Sequence, residues 1–265
     1  MIIIGVDAET NGLKNEEDEY DPEISECCEI GVVLFHVETE TILAQFGKIY
    51  RMNTWGEEAA GIHHIPKELS DSMPLIPSEE EENIFQIVKG DMARFVVAHN
   101  APHDHPYFKT YWPSFLNIPW LCTQRDLPHN DLLTRPAYSK RLGHLCVDYD
   151  IKLSGWHRAL ADAEACARIA AKHDLEEAYK NKLIPKWRLV TYGPFDKSVT
   201  KEQFAECPSV VVDNRKYRWN TEEAPMAWSK DYLAEEFIEP DAEYIKKITK
   251  GRWKFDIEPM PPKTY

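Results

Sequence analysis

Asp7 and Glu9 stand two residues apart just past the apolar run Ile2–Val6. In a strand, with its period of two, both carboxylates project from one face. Paired carboxylates repel, and a hard divalent cation is the usual counter-charge; two solvated acids beside a turn are the alternative. Asp104 follows a second apolar run, Arg94–Ala98, and directly precedes a helical pattern. It reads either as a site acid beyond the carboxyl end of a strand or as a helix cap. Asp162 is the most informative. It shares the i, i+4, i+7 stripe of an alanine-rich helix with Cys166 and Ile169. A carboxylate on that stripe is costly unless it is paired or holds a metal. His157 comes five residues earlier, a rotation of about 140° on a helix. It therefore belongs to the entry loop after Gly155 and Trp156, free to point into a cleft.

The elements that must position these groups follow from the apolar pattern. Ile2–Val6 reads as a buried strand, with Ile30–Val37 and Ile42–Met52 as a hairpin around Glu38–Thr41. Residues 14–29 carry eight acids and one lysine and read as a solvated loop. Glu79 to about Met92 opens with four acids, as a helix N-terminus prefers. Arg94–Ala98 and Trp120–Thr123 are further buried strands, and helical patterns cover about 104–116, 124–134, 139–149 and 158–180. Three strands followed by alternating helices and strands predict an α/β fold with a mixed central sheet flanked by helices. This first domain spans 1–182. A small α+β module of 183–265 follows, after Pro185, Gly193-Pro194 and Pro208 break the pattern.

Composition bounds the reading. Of 265 residues, 43% are hydrophobic and 11% aromatic, enough for a core and too much for a disordered chain. No apolar run approaches the ~20 residues of a membrane helix. The start has neither a basic stretch nor a small-residue cleavage site, which predicts a cytoplasmic protein with no membrane partner. The six cysteines lack C-x-x-C spacing, and together with His63, His64, His99, His103 and His105 they form no recognisable zinc pattern; they read as reduced core fillers. Residues 1–181 hold 16 basic and 31 acidic side chains, a net −15, whereas residues 182–265 are at +1, for −14 in all. That balance argues against tight binding to nucleic acid through a basic surface, but not against acidic metal ligands.

Taken together, D-x-E-T-x-G-L at 7–13, H-N-x-x-x-D at 99–104 and H-x-x-x-x-D at 157–162 occur in order, each at an expected strand end or helix start. Over residues 1 to about 180 the chain resembles the DEDDh (DnaQ-like) 3′→5′ exonucleases, which have a ribonuclease-H-like fold. Gly61–Ile65 with Pro66, Val97–Ala101 and Trp120–Thr123 are similar to strings of the exodeoxyribonuclease X branch. The resemblance implies Asp7, Glu9, Asp104 and Asp162 as ligands of two divalent metal ions, Mg²⁺ or Mn²⁺, with His157 as general base. It implies two-metal hydrolysis that releases nucleoside 5′-monophosphates, preferably from single-stranded DNA 3′ ends. It also places His63 and Asn100 near the substrate, with Leu13 as a wedge against the terminal base. Thr10 and Asn11, beside the acids, would contact the terminal nucleotide. His103 departs from the family, which usually has Phe there. The alternatives are a 3′→5′ exoribonuclease on short RNA and an inactive nucleic-acid-binding adaptor in proofreading or DNA repair, with a polymerase as a partner in trans. The adaptor reading would have lost at least one of these acids.

In the C-terminal third, Lys216–Asn220 and Met226–Lys230 across Thr221–Pro225 predict a hairpin, and Asp241–Lys250 a short helix. Val210–Val212 is a further apolar run. Arg215, Lys216, Arg218, Trp219, Trp228 and Lys230 read either as a stacking platform for single strands or, for the tryptophans, as the module's own core. The tail Pro259–Tyr265 is expected to fray.

Overall fold

The computed structural model describes residues 1–12, 25–76, 79–89, 92–133, 137, 139–152, 155–193, 199–207, 217–221, 224–232 and 235–262. The chain divides into two compact units, Met1–Tyr179 and Lys180–Thr264. In the first unit the order is β1 (Ile2–Thr10), β2 (Cys27–His36), β3 (Thr41–Ile49), α1 (Glu57–His63), α2 (Lys67–Asp71), α3 (Glu79–Lys89), β4 (Ala93–Ala98), α4 (Ala101–Tyr111), β5 (Trp120–Cys122), α5 (His129–Leu132), α6 (Leu142–Asp148) and α7 (Ala159–Ala170), with α8 (Leu175–Leu183) running across the division. The sheet order is β3-β2-β1-β4-β5. The β1–β2 and β2–β3 pairs are antiparallel, and β1–β4 and β4–β5 are parallel. It is the mixed sheet that the strand pattern predicts, in the ribonuclease-H-like arrangement that the resemblance implies.

Strand alternation divides the core into two layers. Ile4, Val6, Val32 and Val96 face Phe85 of α3 and Tyr107, Phe108 and Trp112 of α4 and its end. Ile3, Val33, Phe95 and Val97 face Leu145 and Cys146 of α6 and the small residues Ala163, Cys166, Ala167 and Ala170 of α7. Two glycines let α7 lie directly on the sheet. A Cβ on Gly5 would fall 2.2 Å from the Ala163 carbonyl oxygen, and one on Gly31 2.1 Å from that of Ala159. All six cysteines are free and buried.

Several boundaries differ from the sequence reading. The acidic segment 14–29 does not stay solvated to its end. Ser25, Cys27, Cys28 and Glu29 are buried, the last three in β2. Residues 13–24, including Leu13, lie outside the described residues. The helix expected over 158–180 is two helices, because Asp174 Oδ1 accepts the Glu177 N–H at 3.0 Å and starts α8 afresh. The stretch 124–134 is helical only over α5, after a turn in which Asp126 Oδ2 accepts the Cys122 N–H.

The second unit holds β6 (Lys186–Tyr192), α9 (Lys201–Ala205), β7 (Arg218–Thr221), β8 (Ala224–Tyr232), α10 (Glu239–Ile248) and β9 (Lys254–Met260). Its antiparallel sheet runs β7-β8-β6-β9. The expected hairpin is β7–β8, with Trp219 opposite Trp228. The tail is not frayed at its start: Pro259 pairs with Trp187 and Met260 with Lys186. Edge position explains the tolerated proline, whose missing N–H costs no ladder bond there. Among the described residues of the basic–aromatic set, Trp228 and Lys230 turn inward, whereas Arg218 and Trp219 are exposed. Trp228 stacks on buried Phe204 at 4.8 Å. Lys230 is 3% exposed and ion-paired to fully buried Asp241, which also accepts from the Tyr232 hydroxyl. Arg218 is bound to Asp231, which also accepts from buried Arg188. Trp219 alone of the two tryptophans is exposed. Arg215, Lys216 and Val210–Val212 lie outside the described residues. No helix among the described residues is long and apolar enough to cross a membrane.

Candidate active site

The centre of the site is built on β1 and β2. Asp7 pairs with Gly31 across the antiparallel ladder, and Glu9 pairs with Glu29. Directly opposed residues share a face, so Asp7, Glu9 and Glu29 project together. The bare Cα of Gly31 is where the first turn of α7 touches the sheet. That contact brings Asp162, in this first turn, over the β1 carboxylates. One ligand atom from each of Asp7, Glu9 and Asp162 lies within 4.8 Å of the others.

Asp104 joins from the opposite layer. It is not the cap of α4: the helix begins three residues earlier, after Asn100, whose φ of 63° is left-handed. Asp104 is 1% exposed, and its Oδ1 accepts the Ala8 N–H at 3.0 Å between the two β1 acids. Its Oδ2 and the Oδ1 of Asp162 are buried with no hydrogen-bond partner. Asp104 stands outside the 4.8 Å group, yet its charge is felt by Asp7, Glu9 and Asp162.

These carboxyls are held far from their ordinary state. Burial, then Asp104, Glu9 and Asp162, drives the Asp7 carboxyl well above the usual range. Burial, then Asp162 and Glu29, pushes Glu9 up to about 8. Burial pushes Asp162 up to about 7, against the His157 backbone N–H that favours its charged form. Such a cluster is costly in low dielectric unless cations neutralise it. His103 supplies part of the compensation. Burial opposes its protonation, but the hydrogen bond and charge of Asp104 outweigh this and leave the imidazole more basic than usual.

Glu29 is neutralised separately. Arg158 donates from Nε and Nη2 to its carboxylate, and the Ala159 N–H adds a third donor. Sequence reasoning placed Glu29 in the acidic loop and passed over Arg158. The signal was present: Glu29 sits inside the apolar run Cys27–Phe35, where an unpaired acid is expensive.

His157 lies in the loop ahead of α7, as its helical phase requires, exposed and with φ of 55°. It lines an open cleft of about 660 Å³ with Asp7, Asp162, His99, Gln124, Arg141, Gly143 and Trp156 among its walls. The volume falls in the ~300–1,000 Å³ range of small-molecule sites. The described residues among the sequence-predicted substrate contacts each make a hydrogen bond within the chain. Thr10 Oγ1 accepts the Gly12 N–H, and Asn11, 1% exposed, donates to the Thr54 carbonyl. Asn100 Oδ1 accepts from Arg125. His63 is buried at the end of α1, with Nδ1 accepting the Ile65 N–H and Nε2 unpartnered; burial holds it below its ordinary basicity.

A profile of the RNase T exonuclease family matches residues 4–170, well over half of the chain. No curated protein matches. Among solved structures, a 3′-exonuclease recognising the histone mRNA stem-loop superposes with a TM-score of 0.51 at 16% identity, over 64% of this chain and 80% of that one. Exonuclease I from E. coli, in complex with a dT13 oligonucleotide, superposes with a TM-score of 0.52 at 13% identity, over 72% of this chain and 48% of that one. Exonuclease X in complex with 5′-overhanging duplex DNA matches at 21% identity with a TM-score of 0.45, over 64% of this chain and 89% of that one.

Proposed function

The chain belongs to the RNase T exonuclease family, and from that premise we propose that it is a metal-dependent 3′→5′ exodeoxyribonuclease that prefers single-stranded DNA ends. The observation that carries the reading is the convergence of Asp7, Glu9 and Asp162 within 4.8 Å at the foot of a cleft that also exposes His157. Repulsion and burial have driven these carboxyls up, and buried oxygens of Asp104 and Asp162 lack partners. Both features fit divalent cations held by Asp7, Glu9 and Asp162, with Asp104 alongside. When bound, Mg²⁺ or Mn²⁺ would supply positive charge for the phosphodiester and lower the pKa of water.

The protein's own groups carry the rest. His157 takes the proton of the attacking water at its imidazole. The water oxygen bonds to phosphorus, the bond to the 3′ oxygen of the preceding nucleotide breaks, and that oxygen is protonated from solvent. A nucleoside 5′-monophosphate leaves. The His157 N–H bond to Asp162 ties the base to the acid cluster, so both act on one phosphate. Asp104, through Ala8, keeps β1 from relaxing away from the repulsion.

A time course on 5′-labelled single-stranded DNA with Mg²⁺ or Mn²⁺ tests this, with RNA of the same sequence beside it. The expected result is a ladder shortening from the 3′ end, lost in Asp7→Ala and His157→Ala. Faster loss of the RNA would replace the deoxyribonuclease assignment with the exoribonuclease one. Cleavage of neither polymer would sink both.

A further inference from the structure

Trp156 is the residue before His157, and its indole is 49% exposed. It is nevertheless fixed in place. A Cβ on Gly143 of α6 would fall 2.1 Å from two carbons of its six-membered ring, so the ring rests on the bare glycine. One turn further along α6, Val147 is 72% exposed. Gly143 and Val147 share a helix face by their i, i+4 spacing. Trp156 and Val147 thus form an apolar wall on the cleft that holds Asp7, Asp162 and His157. At the head of the helix stands Arg141, also on the cleft wall. Its guanidinium forms no hydrogen bond or ion pair among the described residues. Arg141 thus sets a positive charge on the wall of a cleft whose other charged groups include Asp7 and Asp162.

We propose that Trp156, seated on Gly143 and flanked by Val147 and Arg141, is a nucleobase-stacking subsite. It would hold the base of a nucleotide next to the scissile phosphate, while Arg141 contacts that strand's backbone phosphate. The proposal rests on the cleft accepting a nucleic-acid strand, and it deepens that reading. Every base has a π face, so stacking there grips the strand without selecting its sequence. The seat on Gly143 means that little side-chain freedom is lost on binding.

The test measures binding of 5′-fluorescein oligo(dT) by anisotropy in Ca²⁺, and steady-state hydrolysis in Mg²⁺. The proteins are wild type, Trp156→Ala, Trp156→Phe and Arg141→Gln. Companion oligonucleotides carry one abasic residue at each of the last three positions in turn. Trp156→Ala is expected to weaken binding about fivefold or more, and Trp156→Phe to restore most of it. One abasic oligonucleotide should bind wild type as weakly as the full one binds Trp156→Ala, and be indifferent to that substitution. Arg141→Gln should shallow the salt dependence by about one charge. Equal affinity of wild type and Trp156→Ala overturns the subsite. A loss of kcat on every oligonucleotide with unchanged affinity also overturns it, and makes Trp156 a brace for His157. If wild type binds but cleaves nothing, and binding still depends on Trp156, the nuclease reading falls and the subsite stands. If wild type does not bind, the subsite falls.

Discussion

Arg158 grips Glu29 from 129 residues away, with Nη2 2.7 Å and Nε 3.0 Å from its carboxylate oxygens. The pair ties the middle of the sheet to the residue that follows His157. It also removes the charge that would otherwise oppose Glu9 directly across the ladder. The strained backbone of His157, at φ 55°, is thereby held from its C-terminal side.

Arg158→Met should therefore act through His157. We expect kcat to fall at least tenfold with KM little changed, and to fall no further when the substitution is added to His157→Ala. Additive losses in the double variant would refute the coupling. Glu29 is 4% exposed and would lose its guanidinium donors, so unfolding in urea should show a loss of about 2–3 kcal/mol.

The acid cluster sets the pH dependence of the metal-free protein. Glu9 moves from an ordinary 4.5 to about 8, and Asp162 from 3.8 to about 7. Both are raised, so between those limits the folded state keeps protons that the unfolded chain has released. Their contribution is fully present below about pH 4 and is lost as pH rises through 7 to 8. Melting in EDTA should fall by at least a few degrees from pH 5 to pH 8, and Mg²⁺ should recover most of it at pH 8. A flat profile in EDTA would mean that the carboxyls are not under this strain.

Asp7→Asn separates stability from activity. It removes one of the mutually repelling charges without changing size. In EDTA at pH 8 the variant should melt higher than wild type, while its nuclease rate falls at least a hundredfold. A variant that is both inactive and less stable would contradict the repulsion argument.

Gly31→Ala should break the site from beneath. Its Cβ would meet the Ala159 carbonyl at 2.1 Å, a backbone atom that cannot swing aside. We expect about 2–4 kcal/mol of destabilisation. Because Asp162 rides on that turn, Mn²⁺ affinity measured by calorimetry should drop as well. Unchanged affinity in the folded fraction would show that α7 can shift without moving Asp162.

Lys230→Met tests the second unit. Asp241, fully buried, would lose its cation, at a cost of about 3–5 kcal/mol. Limited proteolysis should then cut first within 180–264. Cleavage that starts in residues 1–179 would argue against a local defect.

Asp7, Glu9, Asp162 and His157 could be singled out in the sequence because each stands where a local rule can see it, whereas Asp104 read equally as a helix cap. Asp7 and Glu9 obey strand parity, Asp162 breaks an apolar helical stripe, and His157 is out of phase with that helix. Glu29 and Arg158 were not legible as a pair, since no local pattern links residues 129 apart. Likewise β6 and β9 escaped notice, because each acquires its partner only through the sheet. Leu189 and Val190 lie in a chain stretch read only as a break in the first domain's pattern, and Pro259 was expected to fray.

Sequence alone settled the residue types, their order and the alternation that builds a mixed sheet, because these are read from neighbours along the chain. Tertiary structure decided which carboxylates converge. That depended on two glycines, Gly5 and Gly31, that let a helix backbone touch a sheet. It also decided that Asp104 binds the Ala8 N–H rather than capping its helix, and that Lys230 is a core ion pair rather than a surface charge. The physical reason is common to these cases. Burial and pairing of a charge are set by what arrives across space, and the energy of a carboxylate is almost wholly that environment.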